Sequence, residues 1–360
     1  MWEVFASMGK ILVKNGRIWD GERFFYGDVL TDGGVIAKIG ENIHEKAAYT
    51  YDASGKIVSA GLVDCHVHMK HISSHAYGIR AEMCCLPFGV TAANDAGGIH
   101  GDENLLSSFG IKTTVFAGAK IRENAFDAES TEKFLAAYGK KALGVKVFFD
   151  TDSKHITDIT PLRQVCDFAK ERNLKVMVHC NGSPAPMMNI IETLSPGDIL
   201  THVYHGGENT CRENDFACLK LAREKGVVLD AGFAGHVHTD FAVLQAAVAA
   251  GYTPDTISTD ITCFSAYKRG GRYGMTACMS MAKTAGMAET DIFRAVTSNP
   301  AKALGMDWGY LKEGGCADIA VFDIADEGFS FKDKAGNVLQ SETGYRCKLT
   351  ISDGEVVYRD

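Results

Sequence analysis

Short apolar runs alternate with helix-like segments through the middle of the chain, and this alternation restricts the fold more than any other feature. Each run is apolar almost throughout, which is typical of parallel strands that are buried on both faces and connected by helices. Eight runs occur, at Ile57–His68, Gly89–Asp95, Ile111–Ala119, Gly144–Asp150, Lys175–Cys180, Asp198–Val203, Val227–Ala231 and Asp255–Ile261. Eight consecutive strand–helix units favour an α/β fold of the closed (β/α)8 TIM-barrel type over an open sheet.

The segments between the runs carry the start signals of helices. Ser130–Leu143 begins with a serine that we expect to cap it, and Pro161–Arg172 begins with a proline in its first turn. Asn214–Lys225 and Thr239–Ala250 have helical patterns as well, the latter with a predicted cap near Thr239.

Both ends of the chain are strand-like in a different way, with short alternating segments separated by Gly and Asp turns. These segments are Lys10–Ile18, Asp28–Thr31, Val35–Ile39, Asp318–Asp323, Cys347–Ser352 and Glu355–Tyr358. Neither end is large enough to hold a core of its own, so we expect the two to form one small discontinuous β-sandwich domain. The predicted division is 1–57 and 307–360 for the β domain and 58–306 for the barrel.

Composition excludes several classes of function. The chain has 360 residues, of which 46% are hydrophobic, so it can bury a large core. A net charge of -8 argues against a nucleic-acid or acidic-membrane partner. No apolar run is long enough to span a membrane, and no signal peptide is evident at the N-terminus. The 11 cysteines include no C-x-x-C pair and are odd in number, which predicts reduced core thiols and a cytoplasmic location.

Metal-binding side chains gather where the apolar runs stop, which is the face on which barrel enzymes carry their active sites. The residues in question are His66, His68, Lys146, Asp150, His179, His202 and Asp260. Residues i and i+2 of a strand point to the same side, so His66 and His68 can bind one divalent ion. An isolated His-x-His also fits two surface or core histidines, but this ordered set on five of eight runs favours a metal site.

This ordered set resembles the amidohydrolase superfamily, in the branch whose binuclear metal centre is bridged by a carboxylated lysine. The resemblance extends over nearly the whole chain and is closest to bacterial deacetylase-like and dihydroorotase-like amidohydrolases. The matching stretches are GLVDCHVH, TAANDAGG, GVKV, VMVHC, GDILTHVYHG, PDTISTDI and SNPAKALG.

The resemblance implies two divalent metal ions, expected to be zinc, and a role for each ligand. His66, His68 and Asp260 would hold the inner ion, His179 and His202 the outer one, and carboxylated Lys146 would bridge them. An unmodified ammonium group would be repelled by two dications, so Lys146 must be neutral or carboxylated to serve there. Alternatives are a structural ion pair for Lys146 and a mononuclear centre. Asp260 is the predicted catalytic base, which takes a proton from the attacking metal-bound hydroxide and passes it to the leaving group.

Further charged and histidine side chains near the same face are candidates for substrate binding. The candidates are His205, His236, His238 and Arg272, with Lys268 and Arg269 beside the last of these. His236 and His238 form a second His-x-His, which is also compatible with another metal pair, but we favour contact with the substrate. The three cations could bind a substrate carboxylate, or they could be solvated loop charges.

The predicted activity is therefore metal-dependent hydrolysis of an amide or acyl ester bond in a small polar molecule. The favoured reaction is removal of the acyl group from an acyl-substituted carboxylic acid. The alternative is opening of a cyclic amide, as by a dihydroorotase or hydantoinase. Nucleobase deamination and a catalytically inactive scaffold are further alternatives. The expected partner is a small-molecule substrate, and the resemblance implies self-association into a homo-oligomer.

Overall fold

Nineteen strands and nine α-helices occur in the described part of the chain, which in this computed structural model comprises residues 9–69, 78–98, 110–150, 156–234, 237–268, 272–326 and 328–360. The strands are β1 (Ile11–Trp19), β2 (Phe24–Asp32), β3 (Val35–Gly40), β4 (Tyr49–Asp52), β5 (Ile57–Ala60), β6 (Leu62–Val67), β7 (Val90–Gly98), β8 (Lys112–Gly118), β9 (Ile121–Arg122), β10 (Ala125–Phe126), β11 (Ala142–Phe148), β12 (Lys175–His179), β13 (Ile199–Thr201), β14 (Val228–Asp230), β15 (Ile319–Ala325), β16 (Phe329–Lys332), β17 (Val338–Ser341), β18 (Gly344–Ser352) and β19 (Glu355–Arg359). The helices are α1 (Ala81–Cys84), α2 (Ala128–Tyr138), α3 (Thr160–Glu171), α4 (Met187–Thr193), α5 (Ala217–Lys225), α6 (Phe241–Ala249), α7 (Met275–Thr284), α8 (Glu289–Val296) and α9 (Ser298–Leu304).

A curled parallel sheet of seven strands carries the candidate site. Its spatial order is β14-β13-β12-β11-β8-β7-β6, and each neighbouring pair is parallel. Every residue of β6 is buried, as expected for a strand covered on both faces. Helices connect many of these strands, so the predicted mixed α/β architecture is confirmed.

The eighth apolar run meets both edges of this sheet without forming a continuous strand. Thr256 bridges to Asp230 of β14, and Ile261 bridges to Val67 of β6. Asp260 N donates to His66 O at 2.7 Å. The run therefore lies between the first and last strands of the sheet, held by single bridges where we predicted a strand.

The first predicted run is two strands that belong to different sheets. It divides at Gly61, where an added Cβ would lie 2.6 Å from Cγ2 of Thr91. β5 precedes this point and belongs to an outer sheet, whereas β6 follows it and enters the parallel sheet. Gly61 thus allows the close contact at which the chain passes from one sheet to the other.

The outer sheet contains strands from both ends of the chain. Its order is β19-β18-β15-β5-β1-β2-β3, and β4 also pairs with β1. β15 joins the two ends because it pairs antiparallel with β5, Ile319 opposite Ala60. Ile18, Val58 and Ile319 are among the side chains buried in its core. The two ends thus share one sheet, while a second layer that would make it a sandwich and the three domain boundaries stay predictions.

Two helices begin at a different cap from the one that the sequence predicted. Asp127 caps α2, since its Oδ1 accepts from Ser130 N at 3.0 Å, while the Ser130 hydroxyl donates to Asp127 Oδ2. Asp240, and not Thr239, caps α6 by accepting from two main-chain N–H groups. α2 also ends at Tyr138, because Gly139 adopts a positive φ of 55° before β11 begins.

The cysteines are free thiols, and nine of the 11 are buried. Cys263 is half-buried and Cys316 is exposed, so the predicted core placement applies to the other nine. Across the parts of the chain that the structure describes, no helix is both long and apolar enough to cross a bilayer.

Candidate metal centre and active site

Two groups of three metal-binding side chains lie near the C-terminal ends of the parallel strands. One consists of His66, His68 and Asp260, and the other of His179, His202 and His238. Within each group the ligand atoms lie within 4.8 Å of one another. Imidazole and carboxylate are common zinc ligands, so each group could hold a divalent ion. Five of the six predicted ligands are in these groups, and His238 is an addition that the sequence assigned to the substrate.

Asp260 belongs to the first group and also faces the histidines of the second. Its Oδ1 is 2.8 Å from His68 Nε2 and 3.2 Å from His66 Nε2. Its Oδ2 is 3.6 Å from His202 Nε2 and 3.7 Å from His238 Nε2. Burial would raise the pKa of this carboxyl group, but the neighbouring imidazoles of His66 and His68 hold it well below the usual range. Asp260 is therefore an ionised carboxylate that can bind a cation or accept a proton.

The main chain at Asp260 is held in an uncommon conformation by the buried carboxyl group of Asp64. Asp260 has a φ of 45°, which lies in the left-handed region. The preceding residue, Thr259, donates to Asp64 through its hydroxyl at 2.6 Å and through its N–H at 3.2 Å. Strained backbone of this kind persists where surrounding contacts fix it, often at functional sites.

Lys146, the remaining predicted ligand, is completely buried beside the first group. Its Nζ lies 2.9 Å from His66 Nε2. Burial lowers its pKa to about 8, although the carboxylate of Asp260 acts in the opposite direction. At pH 7 the neutral fraction of Lys146 is therefore larger than that of an exposed lysine. The neutral amine is the nucleophilic form that carboxylation requires.

A network behind His66 fixes which of its ring nitrogens carries the proton. The Thr201 hydroxyl donates to Asp230 Oδ2 at 2.6 Å, so its oxygen accepts from His66 Nδ1 at 3.1 Å. Thr256 and Ser258 also donate to Asp230, each at 2.7 Å. His66 Nε2 is then the unprotonated nitrogen that faces Asp260. Asp230 was not predicted as a site residue, although it ends β14 and so stands at a strand end like the histidines.

His202 is oriented in the same way by the main chain. Its Nδ1 donates to Gly232 O at 2.7 Å, which leaves Nε2 as the acceptor nitrogen. Within the described parts of the chain, this Nε2 is buried and has no hydrogen-bond partner. Burial and the nearby imidazole of His179 lower the pKa of His202 well below its usual value, so the ring is neutral. A neutral imidazole with a buried lone pair fits a bound divalent metal ion.

Gly232 makes the approach to His202 possible. An added Cβ at Gly232 would lie 2.5 Å from His202 Nδ1 and closer still to the Thr201 hydroxyl. Its φ of 53° is also in the left-handed region, which glycine adopts without strain. No sequence signal pointed to this glycine, because its role depends on a contact across two strands.

His179 completes the second group from the end of β12. Its Nε2 lies 3.2 Å from Asp150 Oδ2, and its ring centroid lies 4.4 Å from that of His202. Phe148 packs beside it with a centroid distance of 5.5 Å. Asp150, which the sequence placed on this face, thus orients a ligand from outside the two groups.

A cavity of about 380 Å³ opens beside the second group. Its lining includes His238 together with Asn181, Glu208, Thr239, Asp240 and Lys334. Lys334 comes from the turn between β16 and β17, far along the chain, so its position here was not predicted. A cavity of this volume and polarity suits a small polar molecule.

The other candidates for substrate binding lie elsewhere. His205 is buried, with Nδ1 accepting from Gly207 N at 3.1 Å and Nε2 3.7 Å from Cys180 Sγ. The Arg272 guanidinium lies 4.0 Å from the centre of the Phe329 ring and lines a different cavity. His236 and Arg269 fall outside the described residues, and Lys268 ends a π-helical turn. Of the members of this set that the structure describes, only His238 belongs to the metal-binding groups.

The amidohydrolase family model matches residues 57–357 of this sequence. The chain belongs to the amidohydrolase family. This amidohydrolase is 27% identical to a deacetylase of Agrobacterium fabrum, over 92% of this chain and 86% of that protein. A dihydroorotase crystal structure is 26% identical, with a TM-score of 0.83 over 97% of this chain and 98% of that one. An adenine deaminase, 24% identical, shares the fold with a TM-score of 0.85 over 98% and 100% of the two chains. The predicted family is confirmed, and the protein is a hydrolase that acts on C–N bonds.

Proposed function

We propose that this amidohydrolase removes the acyl group from an acyl-substituted carboxylic acid by hydrolysis of an amide or acyl ester bond. The observation that carries this proposal is the pair of donor groups around Asp260 beside a polar cavity. The similarity to a protein named as a deacetylase supports the acyl group as the part that is removed.

The proposed centre holds two zinc ions. His66, His68 and Asp260 would hold the inner ion, His179 and His202 would hold the outer ion, and carboxylated Lys146 would serve both. The nitrogen and oxygen donors suit zinc, and the buried acceptor nitrogen of His202 supports a cation at that point. Two such ions, when bound, would activate water near neutral pH and polarise the acyl carbonyl group of the substrate.

Asp260 is the proposed catalytic residue. As an ionised carboxylate it accepts a proton from the attacking water, and it then returns this proton to the departing nitrogen or oxygen atom. Its two oxygens face the two donor groups, which keeps the carboxylate near both halves of the centre.

Lys334 is the cation best placed for a substrate carboxylate, because it lines the same cavity as His238. This role was predicted for Arg272, which stacks on Phe329 beside another cavity. A lysine ammonium group can bind a carboxylate as a point charge. The positive charge of Lys334 at this cavity therefore supports an acidic substrate.

The proposed site also implies a closed barrel. We propose that Asp255–Ile261 acts as its eighth strand, since it bridges to β14 at one end and to β6 at the other. Closure would place Asp260 among the strand ends that carry the four histidine ligands. The domain boundaries and the homo-oligomer stay predictions.

Hydrolysis of two matched panels tests the proposed function. The zinc-loaded protein is assayed against N-acyl and O-acyl carboxylic acids and against five- and six-membered cyclic amides. Turnover of the acyl panel, lost on chelation of zinc, is the expected result. Turnover of the cyclic amides alone would replace deacylation with ring opening.

A further inference from the structure

His238 lies in the loop between β14 and α6, beside firmly bonded main chain. Val237 N donates to Phe233 O at 3.1 Å, and Asp240 N donates to Tyr204 O at 3.0 Å. These bonds hold the main chain on both sides of His238. Its position is thus set by the fold and needs no substrate to fix it.

The hairpin of β16 and β17 stabilises the same loop from outside. Phe241 N donates to Asp333 Oδ2 at 2.8 Å, and Asn337 Nδ2 donates to Asp240 Oδ1 at 3.2 Å. The start of α6 is therefore bonded to a segment almost a hundred residues further along the chain. His238 lies three residues before the first residue of this anchored helix, so its imidazole has little freedom to leave the site.

The side chain of His238 faces the metal-binding groups in the same way as His202 does. Both Nε2 atoms lie near Asp260 Oδ2, at 3.6 Å for His202 and 3.7 Å for His238. The ring centroid of His238 lies 4.5 Å from that of His202 and 5.1 Å from that of His179. The His238 side chain is 19% exposed, against 10% for His179 and 0% for His202. It is therefore the member of this group that faces the cavity.

We infer that His238 is a third imidazole ligand of the zinc ion proposed for His179 and His202. The inference rests on the proposed function, since that function places an ion there. Three imidazoles are a common ligand set of catalytic zinc, and carboxylated Lys146 would be a fourth protein donor here, so water or substrate would bind by expansion to five-coordination. His238 therefore strengthens binding of the outer ion, in addition to lining the cavity that receives the substrate.

Zinc content and zinc affinity of matched variants test the inference. Wild type, H238A and H238Q are loaded with zinc, dialysed and titrated against a competing chelator. K334A is the control, since Lys334 lines the same cavity but lies outside both donor groups. We expect wild type and K334A to hold two ions per chain. Both His238 variants should keep the inner ion and bind the outer one at least about tenfold more weakly.

The possible outcomes separate the inference from the proposed function. Two ions of unchanged affinity in both His238 variants would overturn the inference and leave the proposed function in place. Less than one ion in wild type would overturn the proposed function itself. A zinc-edge anomalous crystal structure of wild type does not depend on how well a variant folds. It should place a His238 ring nitrogen about 2.1 Å from zinc, and a separation beyond about 3 Å would overturn the inference.

Discussion

The Thr201 hydroxyl accepts a hydrogen bond from His66 Nδ1 at 3.1 Å. It can only accept there, because its single proton is donated to Asp230. The contact therefore fixes the tautomer of His66 and turns its Nε2 lone pair toward Asp260. The proposed metal centre would therefore depend on a threonine that is not itself a proposed ligand.

Replacement of Thr201 with valine should weaken zinc binding at the inner site. Valine keeps the shape but removes the acceptor for His66 Nδ1, so the tautomer is no longer fixed. Loss of such a contact typically costs 10- to 100-fold in metal affinity, roughly. Chelator competition measures the effect. T256V is the matched control, because Thr256 also donates to Asp230, whereas the hydroxyl at His66 Nδ1 is that of Thr201. Equal loss of affinity in both variants would show that the charge of Asp230, and not the tautomer, is what matters.

Replacement of Asp260 with asparagine should abolish turnover. An amide cannot take up the proton that the carboxylate accepts, and a fall in kcat of about 100- to 10,000-fold is typical of a lost general base. Steady-state assays of the zinc-loaded variant and of wild type on the best acyl substrate measure the change in kcat. Activity near that of wild type would remove Asp260 from the role of base.

Replacement of Gly232 with alanine should both destabilise the protein and displace the side chain of His202. The new Cβ would lie 2.5 Å from His202 Nδ1, and overpacking of this kind costs about 1–3 kcal/mol beyond the backbone strain. Urea unfolding of G232A measures the loss. Gly251 has a φ of 86°, and no atom of the described residues beyond its chain neighbours lies within 4 Å of an added Cβ, so G251A reports the strain alone, about 1–2 kcal/mol. Equal losses in the two variants would contradict the steric argument.

His205 should make the metal-free protein less stable in acid. Burial, with a smaller effect of His179, lowers its pKa to about 4 from an ordinary value of 6.5. Between these values the unfolded state binds the additional proton, so the free energy of unfolding falls as the pH drops from 6.5 to 4. The full effect is about 3 kcal/mol.

Unfolding of the metal-free wild type and of H205N at several pH values checks this dependence. Asparagine can still accept from Gly207 N but does not titrate. The stability difference between the two proteins should shift in favour of H205N as the pH falls through this window. Parallel curves would show that His205 does not titrate there.

The sequence predicted correctly that the proposed ligand side chains come together, because they follow a local rule. His66, His68, His179 and His202 stand at or next to the ends of apolar runs, and strand ends of a parallel sheet meet on one face. Pairing of the two chain ends was also predictable, since neither end could bury its apolar side chains alone. These features depend on periodicity and on order along the chain.

Other features depend on contacts that no local pattern encodes. His238 lies in a loop whose direction is set by main-chain hydrogen bonds to distant residues. Lys334 reaches the cavity from a late hairpin, and Gly232 matters because of an approach across strands. The eighth run was predicted as a full strand, but its Ser and Thr side chains bond to Asp230 and Asp64, and single bridges replace regular pairing.

The rate of deacylation as zinc is returned to the metal-free protein tests the central claim most directly. The initial rate on one acyl substrate is measured against the number of zinc equivalents added per chain. We predict that the rate rises from near zero and reaches a plateau at two zinc equivalents per chain, because the proposed centre needs one ion in each donor group. Full activity without added metal, or a plateau below one equivalent, would contradict the account.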